Sequence, residues 1–267
     1  MDETWIGSQT INKVMLIPRM QGWVANYYPG TKIGITEYNW GAESHINGAT
    51  TQADILGIFG REGLDLATRW TTPASSTPTY KAMKMFRNYD GNNSGFGDTS
   101  VNAYSPNPDN VSTFAAVRSS DGALTLMVIN KQLTTSATAA VTIANRLLSG
   151  VGQVWQLTSA NVINRLSDIH FAGSTFTNTV PAQSITLFVL PAATTPPAPT
   201  LQPGSLSATN TFDLWLNGTA GQRYVLLSSS DLANWAPVQT NTLSTSPWHI
   251  VLPANGPRSF YRGQWVP

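Results

Sequence analysis

Near residue 98 the chain changes grammar, and no single layer of secondary structure satisfies both halves. Before that point, apolar residues alternate between helical and strand spacing. Met20, Trp23, Val24 and Tyr27 recur at i, i+3, i+4 and i+7 after Pro18, which predicts an amphipathic helix stopped by Pro29-Gly30. Lys32–Tyr38 predicts a strand. A second helix is expected over Thr51–Arg61, with Ile55, Ile58 and Phe59 as its apolar face and Gly63 as its stop. Leu64–Trp70 reads as a second buried strand, and a third helix after Pro78 is expected to turn Tyr80, Met83 and Phe86 inward. Helix–strand alternation implies a parallel α/β sheet. Two parallel strands are too few to stand alone, because such sheets are covered on both faces. Residues 1–90 are therefore expected to be a partial TIM-like (β/α)8 barrel, its last two strands and helices.

After residue 98, β-rich runs follow one another between turn residues: Thr99–Tyr104, Thr113–Arg118, Leu124–Asn130, Ala137–Ile143, Gly152–Leu157 and Ser184–Leu190. Ser119-Ser120-Asp121-Gly122 is a hairpin signal. Residues 91–192 are expected to form an antiparallel β-sandwich. The Pro-rich stretch that follows predicts a stiff linker over 193–203. A small β module is expected over 204–267, with strands at Thr211–Leu216, Gln222–Ser228, Trp248–Leu252 and Ser259–Gly263. The predicted class is thus α/β plus all-β: the C-terminal portion of a barrel, a sandwich and a small C-terminal β domain.

Composition narrows the partners. A net charge of +1 with 11% charged residues advertises neither nucleic acid nor an anionic membrane surface. Nine tryptophans beside few Lys and Glu suit an extracellular protein that meets neutral polar ligands such as sugars. The absence of cysteine excludes disulfides, thiol nucleophiles and thiolate metal sites. No apolar run approaches the ~18 residues of a membrane span. Met1-Asp2-Glu3-Thr4-Trp5 lacks the features of a secretory signal, so either an export signal was removed or the chain starts inside a longer protein.

The segment K-I-G-I-T-E-Y-N-W (32–40) carries the strongest candidate chemistry. An apolar strand delivers one carboxylate, Glu37, into an aromatic cluster with Tyr38 and Trp40. An unpaired charge at the end of a buried strand is costly, and barrel enzymes accept that cost where catalytic residues sit. A structural glutamate satisfied by a neighbouring Arg or backbone donor is the alternative. Trp70 closes the next strand at the equivalent position, where it would stack on a sugar or join the core. Asn39, Trp40 and Glu43 continue the loop after the first strand.

Weaker patterns resolve to ordinary structure. Glu43-Ser44-His45 is tempting as a second acid or a metal ligand but reads as a solvated loop carrying a cap. His45, His170 and His249 lack ligand spacing. D-G-N-N-S-G-F-G-D (90–98) loosely suggests calcium but reads as a Gly/Asn-rich turn. Gly57–Gly63 is no phosphate loop, and Ser228-Ser229-Ser230 lacks a nucleophile elbow. Phe212, Trp215, Trp235, Trp248, Tyr261 and Trp265 are expected to be mostly core, ahead of a sugar platform.

Four segments strongly resemble glycoside hydrolase family 44: G-I-T-E-Y-N-W-G-A-E-S-H-I-N-G-A (34–49), Q-A-D-I-L-G-I-F-G-R-E-G-L-D-L-A-T-R-W (52–70), M-F-R-N-Y-D-G (85–91) and F-G-D-T-S-V (96–101). The resemblance runs from about Trp5 to about Leu190. It implies a TIM-like barrel plus β-sandwich and endo-β-1,4-glucanase or xyloglucanase activity on β-glucan polysaccharides. It makes Glu37 the nucleophile at the end of the seventh strand and Leu64–Trp70 the eighth. It implies no cofactor for the chemistry and admits a structural calcium. A retaining glycosidase needs two carboxyl groups ~5–5.5 Å apart. The family's acid/base, a glutamate on its fourth strand, has no counterpart among Glu3, Glu37, Glu43 and Glu62. The 228–235 and 257–262 segments look similar to small β modules appended to secreted bacterial proteins.

Two functions follow as expectations. One is a retaining endoglucanase, present here without its acid, in which Glu37 attacks, Tyr38 orients it, and Trp40 and Trp70 stack on sugars. The other is a non-catalytic carbohydrate-binding or accessory β-sandwich protein. The open edge of a partial barrel predicts either a homo-oligomer or cover by the sandwich.

Overall fold

The computed structural model describes residues 15–145, 148, 150–171, 174–192, 196–208, 210–254 and 258–266. Glu3, Trp5, residues 193–195 of the predicted linker, and Pro257 lie outside the described residues. The chain divides near residue 193 into two compact units. Its described elements are mostly strands, arranged largely in antiparallel sheets, with few helices. No described helix is long and apolar enough to cross a membrane.

The first unit opens with α1 (Leu16–Tyr27), β1 (Gly34–Tyr38), α2 (Ile46–Arg61), β2 (Leu66–Arg69) and α3 (Pro78–Arg87). β1 and β2 pair in parallel as a two-stranded sheet. Then come β3 (Thr99–Val101), β4 (Val111–Val117), β5 (Leu124–Asn130), β6 (Ala137–Thr142), β7 (Val151–Leu157), β8 (Ile163–His170), β9 (Thr175–Val180) and β10 (Ser184–Leu190). Six of these form an antiparallel sheet in the order β3-β4-β5-β10-β7-β8, while β6 and β9 pair separately.

The six-stranded sheet is covered on both faces, so its central strands β5 and β10 are buried at every position. One face packs Met127, Ile129, Ile185 and Leu187 against Ile46, Ala49 and Ala53 of α2 and Ala82 and Met85 of α3. The opposite face packs Leu126, Val128, Phe188 and Leu190 against Phe176 and Val180 of the β6–β9 ribbon. Helices α2 and α3 and the sheet after residue 90 therefore share one core. The boundary drawn at residue 90 separates two chain grammars within one packed unit.

Several expectations need correction. The buried face of α2 is a stripe of small residues, Ala49, Ala53 and Gly57, and the predicted face of Ile55, Ile58 and Phe59 is only half-buried. In α3 the buried residues are Pro78, Thr79, Ala82 and Met85, and Phe86 packs against the core as expected. Tyr80 and Met83 instead line an open cleft of about 430 Å³ beside β2. Trp23 and Tyr27 of α1 are exposed, so its predicted apolar face is not covered. Neither parallel strand is buried: Leu66 is exposed, and within β1 only Tyr38 is buried. The hairpin signal at Ser119–Gly122 is met by β4 and β5, with Gly122 at φ 69°.

The second unit contains β11 (Thr200–Leu206), β12 (Thr211–Asn217), β13 (Arg223–Ser229), β14 (Ala236–Thr242), β15 (Trp248–Pro253) and β16 (Phe260–Val266). Sheets β11-β12-β15 and β14-β13-β16 enclose Leu214, Leu216, Tyr224, Leu226, Leu243, Ile250 and Leu252. Thr200–Pro203, assigned above to the linker, pair with β12 instead.

Gly57 is where α2 meets the sheet most closely. A Cβ there would lie 2.2 Å from the Phe114 ring. Gly57→Leu should lower the unfolding free energy by about 1–3 kcal/mol through overpacking, despite a better helix propensity. Gly60→Ala, which meets open space on the same helix, should be neutral or stabilising by up to about 1 kcal/mol. Urea titration of the two variants checks the contrast, and equal effects would contradict this docking of α2.

Candidate active site

The parallel register brings two loops out at one edge. Tyr38 pairs with Arg69, and the Trp70 N–H donates to the Tyr38 carbonyl at 2.8 Å. Thr68 adds a hydroxyl bond to the Thr36 carbonyl. The chain after β1, which carries Asn39, Trp40 and Glu43, thus leaves beside Trp70 and Thr71. Asn39 Nδ2 reaches the Trp70 carbonyl at 3.4 Å.

A polar network rooted in α2 fixes that edge. Gln52 is buried and donates from Nε2 to the Tyr38 hydroxyl at 3.0 Å. The Tyr38 ring meets Phe59 edge-on, with centroids 5.3 Å apart. Gln52 Oε1 accepts from Arg69 Nε at 3.2 Å. Arg69 Nη1 donates to the Thr71 carbonyl at 2.9 Å and the Trp70 carbonyl at 3.4 Å. Its Nη2 donates to Asn39 Oδ1 at 3.0 Å and Glu43 Oε1 at 2.6 Å. Those contacts match the five N–H donors of a guanidinium, which a lysine lacks. In these loops Gly41, Ala42 and Thr71 take φ 70°, 53° and 65°. A β-branched Thr71 in that region is strained, and the bond from its carbonyl to Arg69 helps keep it there.

The predicted site residues divide on this frame. Glu37 is exposed, and among the described residues its carboxylate has no hydrogen-bond or ion-pair partner. The desolvation cost expected for it is therefore not incurred. Trp40 and Trp70 are each 57% exposed at the same edge. Tyr38 is the correction: it is buried against α2 and bonded to Gln52, so it neither orients Glu37 nor presents a ring to a ligand. Gln52 and Arg69 were not among the expected site residues. Their one signal was a polar side chain between Ala49 and Ala53 on a helix face and a cation just before the strand-closing Trp70.

Other acidic groups are committed elsewhere. The Arg69 guanidinium holds the Glu43 carboxyl below its ordinary range, which makes it a carboxylate rather than a proton donor at neutral pH. His45 caps α2, its Nδ1 accepting from the Asn47 N–H at 3.1 Å. Asp90 accepts from the N–H groups of Asn92 and Ser94, and Asp98 accepts from Ser119. Among the described residues no three His, Asp or Glu side chains gather as a metal site, so no calcium ligand set is assigned.

No protein-family model matches the chain. It is 35% identical over 199 residues to endoglucanase A of Paenibacillus lautus, covering 73% of this chain and 28% of that protein. CelM2, a bifunctional glucanase-xylanase from a metagenome library, is 66% identical with a TM-score of 0.68 over 72% of this chain and 37% of its own. A Paenibacillus polymyxa xyloglucanase from glycoside hydrolase family 44, solved with xyloglucan, is 33% identical with a TM-score of 0.65, covering 72% of this chain and 38% of its own. The chain thus spans well under half the length of these relatives.

Because the Glu43 carboxyl sits below its ordinary value of 4.5, the unfolded chain binds that proton more readily than the folded one. Its pairing stabilises the fold above that value and is lost as pH falls through the lower, folded value. The difference in thermal midpoint between the unaltered chain and Glu43→Gln should be largest near neutrality and shrink in acid. A difference that stays constant from pH 7 to pH 2 would rule out the Glu43–Arg69 pair.

Proposed function

We propose that this chain, which is related to glycoside hydrolase family 44 over about 72% of its length, is the nucleophile-bearing, carboxy-terminal part of a secreted bacterial β-1,4-glucan hydrolase. The observation that carries the reading is the pairing of opposite fates at one edge. Glu37 is an exposed carboxylate with no partner among the described residues, at the edge that carries two exposed indoles, while Glu43 is neutralised by Arg69. A nucleophile must be accessible and free of competing partners, and Glu37 meets both requirements.

In this reading Glu37 attacks the anomeric carbon and forms a covalent glycosyl–enzyme, as in retaining hydrolysis. Trp40 and Trp70 offer apolar ring faces to the C–H faces of adjacent glucose units. Arg69 and Gln52 hold the two loops in register. Protonation of the leaving oxygen requires a second carboxyl group, and Glu43 cannot supply it while bound to Arg69. The β1–β2 pair is read as the last two strands of a TIM-like barrel. Its outer edges are where further parallel strands add, from the same polypeptide or a second copy. Export to the cell exterior fits a polymeric substrate. Calcium, if held, serves structure and takes no part in these steps.

A non-catalytic glucan-binding role is the second reading, and one observation favours it: the only glutamate on the adjoining loop is locked as a carboxylate by Arg69. A substrate whose leaving group needs no proton separates the two. With 2,4-dinitrophenyl 2-deoxy-2-fluoro-β-cellobioside, Glu37 displaces dinitrophenolate as the C1–O bond breaks, and the electron pair leaves with the phenolate. Intact-mass analysis should show one added fluorocellobiosyl group, mapped to the peptide containing Glu37 and absent from Glu37→Gln. Label on another residue, or none, would overturn the nucleophile assignment.

A further inference from the structure

The second unit spends most of its large aromatic residues on its core. Phe212, Trp248, Tyr261 and Trp265 pack against the buried cluster around Tyr224. Trp235 lies outside that cluster, but its indole N–H donates to the Leu232 carbonyl at 3.0 Å and Arg262 covers its ring at 4.4 Å. Trp215 is placed differently. Its neighbours Leu214 and Leu216 are buried, so strand alternation turns Trp215 to the solvent face of sheet β11-β12-β15.

On that face the register sets Gln202 on one side of Trp215 and His249 on the other. Trp215 and His249 are stacked, with ring centroids 4.1 Å apart and planes 23° from parallel. His249 Nε2 meets Asp213 Oδ1 at 2.7 Å. Among the described residues, Asp213 Oδ2 has only a long contact, 3.4 Å, from the Ser205 hydroxyl. Ser205 touches the carboxylate and not the imidazole, so the trio is not arranged for nucleophilic catalysis, in which the base must contact the hydroxyl.

We infer that this face is a binding platform for a neutral β-linked glucan, an inference that rests on the polysaccharide reading above. A cross-strand Trp–His pair adds only about 0.2–1 kcal/mol to a sheet, which is little return for leaving part of an indole exposed. The arrangement instead preorganises the ring. Asp213 fixes His249, and His249 fixes Trp215, so little rotamer freedom remains to be lost on binding. β12 is the central strand and His249 occupies its β15 side, so the free indole face turns toward β11, beside Gln202. A pyranose with equatorial substituents has apolar C–H faces and a rim of hydroxyls. Its face fits Trp215, and its rim meets the Gln202 amide and the open oxygen of Asp213. That carboxylate accepts hydroxyl protons and repels a polyanion, which selects neutral glycans over nucleic acid or acidic polysaccharide.

Affinity electrophoresis of the full chain in native gels containing xyloglucan or hydroxyethylcellulose tests this. Trp215→Ala should weaken retardation at least fivefold. Combined with Trp40→Ala and Trp70→Ala, it should restore the mobility seen without polysaccharide. Gln202→Ala should weaken retardation about twofold or more without moving the thermal midpoint, and Trp215→Tyr, which keeps a ring face, should recover part of it. Retardation unchanged in both Trp215→Ala and Gln202→Ala would overturn the platform. If Trp40→Ala with Trp70→Ala abolishes all retardation, the platform falls while the first-unit contacts stand. If that double variant binds fully and Trp215→Ala does not, the platform stands and the glucan contact of Trp40 and Trp70 fails. No retardation of the unaltered chain overturns both.

Discussion

Helix α2 is the piece on which the first unit depends, because it is packed on two sides by two different kinds of interaction. Toward the six-stranded sheet it presents Ala49, Ala53 and Gly57, and the small residues bring its backbone close to Phe114 and Ile129. Toward the parallel pair it presents Gln52, one buried amide that bonds both Tyr38 and Arg69. Shape complementarity fixes the first contact and hydrogen-bond geometry fixes the second. The position of the candidate site relative to the unit's core is therefore set through one helix. A small displacement of α2 would loosen the amide bridge before it exposed much apolar surface.

The same division explains what was legible in the sequence. Long apolar runs such as Leu124–Asn130 and Ser184–Leu190 announced their strands to the residue, because burial on both faces leaves no polar position to blur the ends. β8 and β14 escaped notice because most of their residues face solvent, so Ile163–His170 and Ala236–Thr242 lack a clear apolar alternation. The sequence reads α2 as a helix, and Ile58 of its expected face does pack on the core, but its most buried residues are the small ones. Hydrophobic periodicity weights Ile55 and Phe59 above alanine and glycine, whereas close packing on a sheet rewards the smallest side chains.

At the site, the strand-end carboxylate and the two tryptophans were visible as residue types at matching strand ends. Their frame was not. Gln52 and Arg69 look like ordinary surface residues until the parallel register brings Tyr38 and Arg69 opposite each other. The expectation that Tyr38 would orient Glu37 failed for a related reason. Tyr38 follows Glu37 directly along the strand, and the tyrosine takes the position that packs on α2. The sequence could show that an aromatic adjoined the carboxylate, but not that the two would be divided between core and solvent.

Glu37 and Glu43 lie in one strand–loop segment and carry the same side chain, yet a single guanidinium gives them different chemistry. Arg69 can satisfy one carboxylate and one amide oxygen with Nη2, and it takes Glu43 and Asn39. Had it reached Glu37 instead, that carboxylate would be stabilised as an anion, and a stabilised anion is a poorer nucleophile. Binding Glu43 removes a competing acid, steadies the loop that carries Trp40, and leaves Glu37 facing solvent alone. Solvent is also what a bound polysaccharide would displace. In the proposed reading, excluding water strengthens the attraction between Glu37 and a developing positive charge at the anomeric carbon as the local dielectric falls. The reactivity proposed for this edge thus depends on what Arg69 leaves unpaired.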